Sequence, residues 1–292
     1  MTMRDQMGEY PKVAATRAEL AHEVQAASGR SRALVMTMGA LHEGHGELMR
    51  AARETVGGDG HVTVSIFVNP TQFGVNEDLD NYPRTFDSDL ELCYSMGVNM
   101  VFAPTAEEIY PAGPGQITIS PGPLGSLYEG AARPGHFAGV LTVVGKFILL
   151  SNPHYAMFGE KDYQQLTLVR QMVHDLNFGV EVVAVPTVRA ADGLALSSRN
   201  KYLDPQARDR ALSISRAIAV AQAAAADGAG ADVIAAAATS ILERVTGLEI
   251  EYVAVTDPMM GPAPESGEGR IIITAIVGGT RLLDNARVDI GS

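Results

Sequence analysis

The chain has 292 residues, with 46% hydrophobic and 19% charged residues, enough to bury a core in one large domain or two ordinary ones. The formal net charge of -12 argues against a broad nucleic-acid or membrane-surface footprint, because both partners are anionic. Cys93 is the single cysteine, so an intramolecular disulfide and cysteine-pair zinc sites are excluded; it reads as a small core residue beside Leu90 and Leu92 in a reducing compartment.

The segment Met1 to Pro11 is polar and lacks the apolar core of a signal peptide. The apolar run Val140–Leu150 is broken by Lys146 and too short to span a bilayer. Together these predict a soluble cytoplasmic protein. In chain order, a helix is predicted over Thr16–Ala27, a strand over Ala33–Met36, a helix over His45–Val56 and a strand over Val62–Val68. A helix over Phe86–Met96 and a strand over Asn99–Ala103 follow. Strands are then predicted at Ile117–Ser120, Tyr155–Phe158 and Val182–Pro186, with helices at Phe137–Leu150 and Tyr163–Leu176. This alternation implies an α/β fold, a Rossmann-like doubly wound parallel sheet, with ligands beyond the carboxyl ends of its strands.

After Val188 the pattern changes. Asp204–Pro205 opens a helix to about Ala226, Asp227–Gly228–Ala229–Gly230 breaks it, and Ala231–Val245 forms another. Strands at Glu249–Val255, Gly269–Ile276 and Arg281–Ile290, with Gly278–Gly279 as a turn, complete a smaller C-terminal α+β domain. The boundary falls near Arg189, giving domains 1–188 and 189–292, and the cleft between two domains is the default place for catalysis.

Four elements carry chemistry. In Met38–Gly39–Ala40–Leu41–His42–Glu43–Gly44–His45 a strand runs through a glycine loop into a helix, which would aim free backbone N–H groups at an anion. His42 and His45, three apart, can face one phosphate, as imidazolium or as neutral N–H donors, and Gly44 permits close approach. A zinc site is the weaker rival, since no third ligand is placed nearby. This is the His-x-Gly-His signature of the superfamily of nucleotidylyltransferases and class I aminoacyl-tRNA synthetases, whose members attack the α-phosphate of ATP. The second element, Leu196–Ser197–Ser198–Arg199–Asn200, offers two hydroxyls and a guanidinium to phosphate oxygens. The third, Gly159–Glu160–Lys161–Asp162, puts a cation at the sheet's ligand edge; Asp162 is a plausible helix cap and Gln165 lies one turn on. In the fourth, a strand ends in Asn69 and Gln72, whose neutral amides suit the hydroxyl and carboxylate of a hydroxy acid; a plain turn explains that spacing equally well.

In this order the four elements closely resemble the pantoate–β-alanine ligase (pantothenate synthetase) family. The likeness extends to Gly130–Phe137, Asp192–Leu203 and Arg281–Leu282–Leu283–Asp284–Asn285 and covers nearly the whole chain. It implies that pantoate attacks the α-phosphate of ATP to give pantoyl adenylate and pyrophosphate, and that β-alanine then displaces AMP to give pantothenate. It further implies His45 as catalytic histidine, acting with His42, and an ATP site of Met38–His45, Gly159–Asp162, the Val188 backbone and Leu196–Arg199. Gln72, Gln165, Asn69, Met38, Arg133 and His136 would serve pantoate and β-alanine. Magnesium is implied on the ATP phosphates, with Asp89 as a carboxylate near it, and the assembly would be a homodimer. Two departures stand out: Met36 replaces the proline usual before Thr-Met-Gly, and Ser88 interrupts the acidic run before Asp89. Two rivals remain. A nucleotidylyltransferase would need a basic pocket for a phosphate-bearing acceptor. A non-catalytic nucleotide-binding module would have no reason to keep His45, Lys161 and Arg199 together.

Overall fold

The computed structural model describes residues 10–74, 79, 82–113, 115 and 117–291. They form two compact units. One takes the chain up to Glu160 together with Leu168–Val185; the other takes Lys161–Thr167 together with the chain from Pro186. Where the sequence suggested a single boundary near Arg189, the second unit therefore also takes in a short stretch from the middle of the chain.

The first unit is built on strands β1 (Lys12–Ala14), β2 (Arg32–Thr37), β3 (His61–Ile66), β4 (Met100–Phe102), β5 (Tyr155–Gly159) and β6 (Glu181–Val185). Their order is β1-β4-β3-β2-β5-β6, and every neighbouring pair is parallel. Its helices are α1 (Arg17–Ala26), α2 (Glu43–Val56), α3 (Phe86–Ser95), the single turns α4 (Ala106–Ile109) and α5 (Glu129–Ala132), α6 (His136–Ser151), and α7 (Tyr163–Asp175), whose first turn belongs to the other unit.

Alternation along the strands divides the core. Ala33 and Val35 of β2, Val62 and Val64 of β3 and Met157 of β5 pack against Met49, Ala52 and Val56 of α2 and Cys93 of α3. On the opposite face Phe102 lies 5.5 Å and Phe67 5.7 Å from the Phe147 ring of α6. Helices thus cover both faces, as a parallel sheet requires. Cys93 is a core residue: burial, then the Asp89 carboxylate, push its thiol up to about 12, far from nucleophilic use. Strand order turns back between β2 and β5, so their carboxyl ends mark the switch point where ligands bind in such sheets.

Ile117–Ser120, expected as a strand, is irregular. Ile117 is 88% exposed, and the Ile119 amide donates to Thr142 Oγ1 (2.9 Å) rather than to a ladder. β1 was not anticipated, since its three residues carry no period of their own and pair only with β4. No helix among the described residues is long and apolar enough to cross a membrane.

In the second unit α8 (Pro205–Ala226) and α9 (Ala231–Leu242) cover an antiparallel sheet of β7 (Leu248–Thr256), β8 (Gly267–Val277) and β9 (Thr280–Ile290). Asp204 caps α8 by accepting from the Ala207 amide (2.7 Å), with Pro205 at the first helical position. Ile271, Ile273, Ala275 and Val277, alternate residues of β8, meet Ile214, Ala217 and Ala221 of α8 and Ile234 of α9. Gly278 and Gly279, at φ 57° and 75°, make the β8–β9 turn that other residues would strain.

His61 opens β3 fully packed, with no hydrogen-bond partner for its buried Nε2. Burial, then Arg30, hold its pKa down at about 4 against an ordinary 6.5. The unfolded chain therefore takes up this proton first, so the contribution of His61 to stability is constant above pH 6.5 and falls as pH drops from 6.5 toward 4. Urea midpoints measured across that window should fall less steeply for His61→Leu than for the wild type; equal slopes would remove His61 as the cause.

Candidate active site

At the carboxyl end of β2 the chain enters the His-x-Gly-His loop. Gly39 and Ala40 both adopt left-handed backbone, at φ 81° and 51°. A Cβ on Gly39 would sit 3.1 Å from Asp89 Oδ2 and 3.1 Å from Ile66 Cγ2, so both the backbone and the tight space favour glycine. The loop is anchored from within. Gly39 N donates to Thr37 Oγ1 (3.2 Å), Ala40 N to Asp89 Oδ2 (3.0 Å) and Leu41 N to Asp89 Oδ1 (2.8 Å). Asp89, only 2% exposed, also accepts from Thr85 Oγ1 (3.0 Å).

These bonds correct two expectations. The loop amides from Gly39 to Leu41 are not open to a ligand anion, because Thr37 and Asp89 already occupy them. Asp89, expected near magnesium, has both carboxylate oxygens committed to the loop. Among the described residues no group of three or more His, Cys, Asp or Glu could hold a metal ion. The described residues thus do not form a protein-held magnesium site.

The histidines build the start of α2. His42 is the N-cap, in extended conformation, and its Nδ1 accepts from Gly44 N (3.1 Å). His45 Nδ1 in turn accepts from His42 N (3.2 Å), a reciprocal capping box made of imidazoles. The helix therefore starts two residues before the expected His45. With both Nδ1 atoms acting as acceptors, each ring carries its proton on Nε2. The ring centroids lie 4.1 Å apart, so the two rings form one paired surface. Glu43 points outward and pairs with Arg50 (3.3 Å).

The neighbouring strand β3 leads to Asn69 and the 3-10 turn Pro70–Gln72. Asn69 is fully buried, and its Nδ2 donates to Gln72 Oε1 (2.9 Å). Arg133 and His136, expected to meet substrate, both reach the Gln72 carbonyl. His136 Nδ1 donates to it (2.8 Å), Arg133 Nη2 donates at 3.3 Å, and Arg133 Nη1 reaches His136 Nε2 (3.0 Å).

Gly159 and Glu160 close the first unit's run, and the second unit holds the remaining residues. Lys161 follows the end of β5 in a 3-10 turn, and its Nζ lies 3.6 Å from the Asp162 carboxylate. Its carbonyl accepts from Asn285 Nδ2 (2.8 Å), and Asn285 Oδ1 accepts from Arg270 Nε (2.7 Å). The Arg270 guanidinium lies 3.6 Å above the Tyr163 ring, whose hydroxyl donates to the Pro258 carbonyl (3.0 Å). Gln165 is half-buried on the first turns of α7. Val188 accepts through its carbonyl from Leu196 N (2.9 Å). Ser197 caps the 3-10 turn Ser198–Tyr202 by accepting from Arg199 N (3.3 Å). Arg189 grips Asp284 with two bonds of 2.6 and 2.8 Å, which raise the guanidinium pKa further. The supporting residues Thr85, Arg270 and Tyr163 were not singled out by sequence, since only tertiary contacts give them a part.

A parallel sheet of this order, with paired histidines at its switch point, defines an α/β enzyme of the His-x-Gly-His class. The profile of the family described as Pantoate-beta-alanine ligase matches residues 11–287. A pantothenate synthetase of Nocardia farcinica is 56% identical over 90% of this chain and 81% of its own length. The pantothenate synthetase structure from Thermus thermophilus is 43% identical, with a TM-score of 0.88 over 94% of this chain and 98% of that one. The pantoate-beta-alanine ligase of Francisella tularensis, solved in complex with beta-gamma ATP and beta-alanine, is 31% identical, with a TM-score of 0.79 over 94% and 97%. The chain belongs to the pantoate–β-alanine ligase family. It is a ligase, and its reaction joins pantoate to β-alanine.

Proposed function

We propose that ATP drives this ligation in two steps through pantoyl adenylate. The observation that carries the reading is the imidazole pair at the start of α2, with both rings protonated at Nε2. A pantoate carboxylate oxygen attacks the α-phosphorus, the bond to the β-phosphate oxygen breaks, and pyrophosphate leaves. Charge gathers on the α-phosphate oxygens in that step, and His45 with His42 supplies Nε2–H donors to them. Lys161, Ser197, Ser198 and Arg199 are assigned to the phosphates, Met38–Gly44, Gly159, Glu160 and Asp162 to the rest of ATP, and the Val188 backbone and Leu196 to adenine. Magnesium arrives as the nucleotide's own complex, a part of the substrate. In the second step the neutral amine of β-alanine attacks the acyl carbon, AMP leaves with the carboxylate oxygen, and the amine loses a proton.

Gln72 and Gln165 hold pantoate in this reading, while Arg133 and His136 steady the Gln72 backbone. We assign the enzyme to the cytoplasm as a homodimer; the buried lone thiol of Cys93 suits a reducing compartment.

Omitting one reactant at a time tests the scheme. AMP release should require pantoate, β-alanine, ATP and a divalent ion together, with pyrophosphate formed in equal amount. ADP and inorganic phosphate among the products would replace the adenylate with an acyl phosphate.

A further inference from the structure

Asn69 is fully buried, and both ends of its side-chain amide are engaged. Its Oδ1 meets Thr71 N (3.3 Å), Thr71 Oγ1 (2.9 Å) and the Tyr110 hydroxyl (3.0 Å). Its Nδ2 meets Gln72 Oε1 (2.9 Å) and the Gly139 carbonyl (3.3 Å). A backbone N–H only donates and a carbonyl only accepts, so Thr71 N and Gly139 O together fix which end of the Asn69 amide is oxygen. The end facing Gln72 is then an NH2 group, and Gln72 must answer with its oxygen. The Gln72 NH2 is left on the other branch of its amide.

The surroundings are shaped to hold this arrangement. A Cβ on Gly139 would come within 2.1 Å of the Thr71 carbonyl oxygen, so only glycine lets α6 approach this turn. Tyr110 is 7% exposed, with its ring 6.4 Å from Phe67 and Lys146 Nζ 5.5 Å from the ring centre. Burial pushes its pKa up, which keeps the hydroxyl a donor. The Gln72 carbonyl is clasped by His136 and Arg133, which anchors its backbone.

We propose that Tyr110 and Asn69 are positioning residues that set the hand of the Gln72 amide, so that Gln72 offers the acid substrate N–H donors and no acceptor. A carboxylate carries only lone pairs on its oxygens, and a flipped Gln72 would oppose them with its own oxygen. Asn69 thus acts through Gln72 and does not touch pantoate. The inference rests on the proposed role of Gln72 in holding the acid.

A double-mutant cycle tests it. Pantoate is titrated calorimetrically, with an α,β-methylene ATP analogue present, into Gln72→Ala, Gln72→Glu, Asn69→Ala and Tyr110→Phe. The last two are also made in the Gln72→Ala background. Asn69→Ala should weaken pantoate binding roughly tenfold to a hundredfold, and the milder Tyr110→Phe roughly threefold to tenfold. Affinity for the nucleotide analogue alone should hold within about twofold, since the lost bonds lie outside its contacts. Both effects should vanish in the Gln72→Ala background, and Gln72→Glu should bind pantoate no better than Gln72→Ala. Unchanged pantoate affinity in Gln72→Ala would defeat the role of Gln72 and this inference with it. If Gln72→Ala is impaired, two results overturn the inference alone: Asn69→Ala and Tyr110→Phe remain as damaging without Gln72, or Gln72→Glu binds pantoate like the wild type.

Discussion

Replacing His45 with alanine is expected to slow adenylate formation by roughly a hundredfold or more, the scale of one well-placed transition-state donor. The structure adds a complication and its solution. His45 Nδ1 accepts from His42 N, so alanine also removes half of the capping box at the start of α2, a loss of about 1 kcal/mol. His45→Asn separates the two duties. Its Oδ1 falls near the position of Nδ1 and can keep the cap, but nothing then occupies the place of Nε2. Both variants should lose pyrophosphate release in a single turnover, whereas only the alanine variant should melt earlier. A rate deficit confined to the variant with the lowered melting temperature would reduce His45 to a helix cap.

The second large effect is expected at Asp89. Its carboxylate receives the amides of Ala40 and Leu41 from a loop whose backbone is left-handed at two successive residues. Asp89→Asn keeps the shape but turns one oxygen into an NH2 that confronts an N–H. Bonds to a charged acceptor of this kind contribute roughly 1.5–3 kcal/mol, so adenylation should fall by roughly tenfold to a hundredfold. Raising magnesium should not restore it. Recovery at high magnesium would make Asp89 a metal ligand after all.

Much of the architecture is legible in the sequence because its signals are local. β-Branched runs such as Val62–Val68 announce buried strands, and Asp204–Pro205 announces the start of α8 through cap chemistry and the fixed φ of proline. The failures are of a different kind. Ile117–Ser120 has the composition of a strand but no strand beside it to pair with. The first turn of α2 is hidden because histidine is not among the usual capping residues, although its Nδ1 can accept like a serine oxygen. The motifs locate the site, but the duties within it depend on partners far along the chain. Asp89 lies 49 positions from Ala40, and Tyr110 lies 41 from Asn69. Strand-to-helix spacing suggests open loop amides, and only the fold shows a buried carboxylate consuming them.

The small stretch Lys161–Thr167 has a bearing on how the gene can be divided. It is tied to residues more than ninety positions later: Tyr163 bonds to Pro258 and lies beneath the Arg270 guanidinium, and Lys161 bonds to Asn285. A fragment ending at residue 188 would carry this stretch away from all three, exposing an aromatic ring and an unmatched carbonyl. The complementary fragment would keep Arg270 and Asn285 with nothing to grip. Split-protein reporters, circular permutants and family chimaeras cut at that point would thus cleave a folding unit that is continuous in space but broken in sequence. A workable exchange has to transplant 161–167 along with the C-terminal segment.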